Sequence, residues 1–87
     1  MRKRVVVHGR VQGVFFRDST RQRAETAGLA GWVANRPDGT VEAVLEGEIG
    51  EIERLVDWMN DGPRGADVER LETFGEPEEG LTGFDVR

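Results

Sequence analysis

"AGWVANRPDGTVEAVLEG", residues 30–47, decides how this chain folds. Ala30–Arg36 reads as one strand. Pro37–Gly39 is a turn signal. Thr40–Gly47 alternates, with Val41, Ala43 and Leu45 on one face and Glu42, Val44 and Glu46 on the other. The pattern predicts a hairpin with one mostly wet face.

Helical patterns flank the hairpin. Upstream, Phe16, Thr20, Ala24 and Ala27 recur at helical spacing over Phe16–Ala27, and Gly28 suits a C-cap. Downstream, Ile49, Ile52, Leu55, Val56 and Met59 form one stripe along a helix over Gly50–Asn60. Asp61-Gly62-Pro63 stops it, because proline cannot continue a helix. Outside the helices lie two more strands. Arg4–Gly9 is β-branched and apolar on both faces, as expected of a central strand. Ala66–Pro77 alternates through Val68 and Leu71, and "GFDVR", residues 83–87, can add a short edge strand. The acidic "EPEEG", residues 76–80, reads as a solvated loop.

The order is β-α-β-β-α-β plus a short last strand. It predicts the α+β, ferredoxin-like sandwich, with two helices on one face of an antiparallel sheet. The first strand runs up to Gly9. A helix of about 12 residues descends ~18 Å, and the second strand runs up again. Asn35 should therefore emerge at the same sheet edge as the loop after Gly9.

Eighty-seven residues suit one domain, 1–87. Without cysteine there are no disulfides, thiolate metal sites or thiol nucleophiles. No apolar run approaches a membrane span, and the apolar run that ends at His8 is too short for a signal peptide. A cytoplasmic monomer is the expectation. The net charge of −5 argues against a nucleic-acid partner. Of the 12 basic residues only Lys3 is a lysine. Arginine-rich codon usage and adaptation to a salty cytoplasm both fit that bias.

The stretch "GRVQGVFFR", residues 9–17, carries the chemistry. Gly9 and Gly13 let the backbone turn tightly and approach a ligand closely. Amides of such a loop, together with a helix N-terminus, can cradle an anion. Arg17 adds a planar cationic fork in the first helical turn. Phe15 and Phe16 can both anchor the loop on the core. A plain connection with a solvated arginine fits these residues too. Asn35, ahead of Arg-Pro-Asp-Gly, reads alone as a turn opener, and beside the loop as an amide able to hold a water. No Gly-Lys-Ser/Thr follows the glycines, so a P-loop is excluded. His8 reads as a packed or edge residue and Ser19 as helix surface. Trp32 and Trp58 read as core or subsurface aromatics. The carboxylates lack metal-loop spacing and read as solvated surface.

The chain resembles the acylphosphatases over essentially its whole length. The first signature is "VHGRVQGVFFR", with Gly9, Val11, Gln12, Gly13, Val14, Phe16 and Arg17 in the family's places. The second is "GWVANRPDGTVEAVLEGE", with Gly31, Trp32, Asn35, Gly39, Val41 and Gly47. The resemblance implies hydrolysis of acyl phosphates to a carboxylate and inorganic phosphate, without metal or other cofactor. It implies that Arg17 binds the phosphoryl group. The loop of Gly9, Arg10, Val11, Gln12, Gly13, Val14 and Phe15 would cradle that group, and Asn35 would position the attacking water. A non-catalytic anion-binding module is the rival for the same cradle. An RNA-recognition module would need stacking aromatics on the two central strands, which have none.

Overall fold

The computed structural model describes residues 1–87. The elements are β1 (Arg2–Arg10), α1 (Phe16–Thr26), β2 (Ala30–Asn35), β3 (Val41–Glu46), α2 (Ile49–Asp61), β4 (Asp67–Glu76) and β5 (Phe84–Val86). One five-stranded sheet has the order β4-β1-β3-β2-β5. Both helices pack on one face of it, in the ferredoxin-like arrangement. Val5, Val7, Val33, Val41, Ala43 and Leu45 from the sheet meet Phe16, Ala24, Ile52, Leu55 and Met59 from the helices in one core. No helix is long and apolar enough to cross a membrane.

Three expectations need correction. The sheet is mixed rather than antiparallel, because β5 runs parallel to β2, with Gly31 opposite Phe84. The cause is where β4 ends. Glu76 lies opposite Arg2, Arg2 opposite Glu46, and Glu46 opposite Ala30 at the start of β2. A chain that crosses the sheet along that edge must then run back in the direction of β2.

Second, the face of β3 expected to be wet is covered. Val44 and Glu46 are buried. The Glu46 carboxylate accepts backbone N–H groups from Glu79 (2.9 Å), Gly80 (3.1 Å) and Leu81 (2.9 Å), and Arg2 Nη1 at 2.9 Å. The segment after β4 is thus pinned over β3 rather than being a free acidic loop. Glu76 accepts from both Arg2 and Arg4 at 3.0 Å.

Third, β1 is longer than Arg4–Gly9. It begins at Arg2, where these ion pairs form, and continues to Arg10 with a register shift between His8 and Gly9. Gly9 has φ 128°, and a Cβ there would fall 2.1 Å from the Asp67 carbonyl oxygen. Only glycine permits β4 to follow β1 so closely past the bulge. The other element boundaries agree with expectation to within one residue.

The Glu79 amide, then that of Leu81 and the Arg2 guanidinium, hold the Glu46 carboxyl at about 2, well below the usual 4.5, against the opposing effect of its burial. A carboxylate lowered in the folded state stabilises above its unfolded value, and the contribution is lost as pH falls. Stability measured by urea titration should therefore drop between about pH 4.5 and pH 2. Glu46→Gln should be less stable at neutral pH and show a flatter acid limb. An acid limb identical to wild type would remove Glu46 from this role.

Candidate active site

The β1–α1 loop is organised by one buried ring. Phe16 is only 2% exposed. Its ring lies 5.7 Å from that of Trp58 on α2. It also packs against Gly62, where a Cβ would sit 3.0 Å from Phe16 Cε2. Phe15 does the opposite of what the sequence suggested. It is 80% exposed and left-handed, at φ 61°, as the residue preceding α1. Two consecutive aromatics cannot both turn inward where a helix begins, so Phe16 alone anchors the loop.

The loop backbone is rich in free donors. No N–H from Gln12 to Asp18 has a backbone acceptor, and the first α1 pairing downstream is Ser19 N–H to the Phe15 carbonyl. Three of these amides belong to the first turn of α1, where a helix leaves its donors unpaired. The others come from the bend ahead of it. Gly13, at φ 76°, supplies the left-handed step in that bend.

Two contacts fix the loop to its neighbours. Gln12 Nε2 donates to the Arg36 carbonyl (2.8 Å) and the Thr40 carbonyl (3.0 Å), which ties the loop to the β2–β3 hairpin. Arg10 Nη2 donates to the Gly65 carbonyl at 3.4 Å, on the turn after α2. The hairpin is held in turn by Asp38. Its Oδ1 accepts from Thr40 Oγ1 (2.6 Å) and Thr40 N–H (3.0 Å), which keeps its carboxyl below the usual range.

Arg17 and Asn35 line one cavity of about 280 Å³, with Val11, Gly13, Phe15, Phe16, Asp18 and Val86. They come together as the topology requires, since β2 ends beside the loop. Asn35 is exposed and lies opposite Val41, at the last pair of the β2–β3 ladder. Arg17 is half-buried, and its Nη1 donates to the main-chain oxygen of Arg87 at 2.8 Å. The Arg87 N–H donates to the Val33 carbonyl at 2.8 Å, so the guanidinium is steered toward the β2 side of the cavity. Asp18 is turned away along the helix, accepting from Arg21 Nη2 (2.8 Å) and Gln22 Nε2 (3.2 Å). The arrangement offers an anion a cation, a run of amide donors and a neutral carboxamide.

Several features were out of reach of the sequence. Asp18 and Val86 line the cavity and the main-chain oxygen of Arg87 holds Arg17, and only the Asp18-Arg21-Gln22 spacing signalled any of them. The Gln12 side chain joins the loop to the hairpin rather than facing the cavity. His8 Nε2 lies 2.6 Å from Glu72 Oε1, and neither residue lines the cavity. Ser19 lies in a larger groove of about 830 Å³ between the helices, apart from Arg17 and Asn35. No three of the His, Asp and Glu side chains gather as a metal-binding group.

Comparison with known proteins places the chain in one family. The family model described as acylphosphatase matches residues 3–86. An acylphosphatase of Rubrobacter xylanophilus is 60% identical over 87 residues, covering 99% of this chain and 79% of its own length. One of Gloeobacter violaceus is 52% identical over 86 residues, covering 99% and 92%. The crystal structure of acylphosphatase from Bacillus subtilis superposes with a TM-score of 0.95 at 34% identity, covering 99% of this chain and 97% of that one.

The two Gln12 hydrogen bonds generate a prediction. Each should contribute about 0.5–1.5 kcal/mol, so Gln12→Ala should lower unfolding free energy by about 1–3 kcal/mol. It should also lower kcat, because the hairpin bearing Asn35 loses its tie to the loop. An unchanged urea midpoint would mean that the tie carries no weight.

Proposed function

This chain belongs to the acylphosphatase family, and on that premise we propose how its residues hydrolyse an acyl phosphate to a carboxylate and inorganic phosphate. The loop Gly9–Phe15 and the first turn of α1 hold the phosphoryl oxygens through backbone amides. Arg17 holds them through its guanidinium. Asn35 orients a water for in-line attack on phosphorus. The observation that carries this reading is the shared cavity: Arg17 and Asn35 open onto one space beside a run of amides with no backbone acceptor.

The chemistry asks for little more. Water attacks phosphorus, the bond from phosphorus to the acyl oxygen breaks, and its electron pair stays on the carboxylate. Both water protons can remain on the product as dihydrogen phosphate, so the step needs no net proton acceptor. A carboxylate is a weak base, so it leaves without a strong general acid. Positioning and preorganised charge can then supply most of the rate. The same reading takes the chain to act as a cytoplasmic monomer.

Arg17→Ala should abolish measurable turnover and weaken inhibition by inorganic phosphate. Arg17→Lys should rescue little, because an ammonium lacks the fork. Wild-type kinetics in the lysine variant would sink bidentate recognition. Asn35→Ala should lower kcat by about 100-fold or more, while phosphate binds nearly as well in calorimetric titration. Asn35→Asp should be as inactive and bind phosphate worse, since a carboxylate would face an anion. Normal turnover in Asn35→Ala would return that residue to a turn role and favour the non-catalytic module. Turnover should also survive a chelator. Loss restored by a divalent ion would contradict the metal-free mechanism.

A further inference from the structure

The exposed aromatic at the cavity mouth has a use that phosphate binding does not require. A cradle of backbone amides needs no side chain at position 15. Glycine would enter the left-handed region there without strain, whereas a bulky residue at φ 61° is a conformational outlier. The ring also gains nothing from the core, being 80% exposed. Backbone strain and an unburied apolar surface therefore coincide on one residue, and that residue lines the cavity.

A second observation points the same way. The large apolar side chains left exposed are Met1, Phe15, Ile49, Phe74 and Val86. Phe74 is partly covered by the Arg4 guanidinium, 4.5 Å from its ring centroid. Phe15 and Val86 both line the 280 Å³ cavity, one from the loop and one from β5. The cavity thus has a polar floor, of amides and Arg17, and an apolar lip.

Resting on the cradle reading above, we infer that Phe15 and Val86 receive the acyl group of the substrate, so that the enzyme favours acyl phosphates with aromatic or extended hydrocarbon groups over acetyl phosphate. With the phosphoryl group on the loop amides, the acyl part must extend toward the cavity mouth. An apolar group there removes the Phe15 ring and the Val86 methyls from water, and an aromatic one can also stack on the ring. A methyl group covers little of either.

The readout is the ratio of kcat/KM for benzoyl phosphate to that for acetyl phosphate, which cancels any loss common to both. Phe15→Ala keeps a Cβ, and so the same backbone penalty, while it removes the ring. It should lower the ratio about tenfold. Phe15→Tyr keeps the ring and should restore the ratio to within about twofold. Val86→Thr, which stays β-branched in its strand, should lower the ratio about threefold. An unchanged ratio in Phe15→Ala, or no restoration by tyrosine, overturns the inference. Should the alanine variant not fold, an unchanged ratio in Val86→Thr does so. Inorganic phosphate reports the cradle alone. If Arg17→Ala leaves phosphate inhibition intact, the cradle reading fails. If Arg17→Ala loses phosphate while the Phe15 ratio stays fixed, only the acyl-group inference fails.

Discussion

The Phe16 ring against Gly62 and Trp58 is the contact on which the site depends. It docks the first turn of α1 on the end of α2. Burying such a ring contributes about 1.5–3 kcal/mol, a large share of the stability of a small domain. Its geometric effect matters more. Successive helical residues step about 100° around the axis. With Phe16 directed into the core, Arg17 emerges beside β2 and Phe15 is left outside. The two residues that frame the cavity on this side take their directions from the buried one between them. Gly62, at φ 76°, makes room because a side chain there would meet the ring.

The opposite face of the sheet poses the usual difficulty of a short chain, since both helices lie on one side. Here that face is covered by charge pairs and long side chains. Arg2 and Arg4 bridge Glu42, Glu46 and Glu76 across three strands. Arg4 also lies over Phe74, and Arg87 over Trp32, each at 4.5 Å from the ring centroid. Buried ion pairs often add little net stability over an apolar packing. Their value here is placement. Glu46 collects the amides of residues 79–81 and so routes the chain to the far edge. That route delivers β5, and with it Val86, to the cavity, and the main-chain oxygen of Arg87 to Arg17.

The legible and illegible parts of the sequence differ in range. Periodicity within ten or twelve residues marked every strand and helix, and strand direction then brought Asn35 to the loop that leads into Arg17. Those inferences needed only local pattern and connectivity. Glu46 looked solvent-facing because its partners, Arg2 and the amides of residues 79–81, lie more than thirty residues away. Gln12 gave no sign of its acceptors on the hairpin, which lie 24 and 28 residues away. Phe15 and Phe16 are chemically identical neighbours, and only the left-handed step at residue 15 separates them. The direction of β5 followed from where β4 ends, which no alternation pattern encodes.

The net charge of −5 opposes an anionic substrate at long range, but distance decides the outcome. Charges beyond about 8 Å are largely screened at physiological salt. Within that range the cavity presents Arg17, the α1 N-terminus and the loop amides. The one acidic side chain that lines the cavity, Asp18, is held by Arg21 and Gln22 on the helix. The surface can therefore be acidic while the cavity itself presents a cation and unpaired amides. A small fold can manage this because the donors belong to its backbone and are fixed by the same packing that fixes the core. Little reorganisation is then left for the moment of reaction, which is the condition under which preorganised dipoles lower a barrier most.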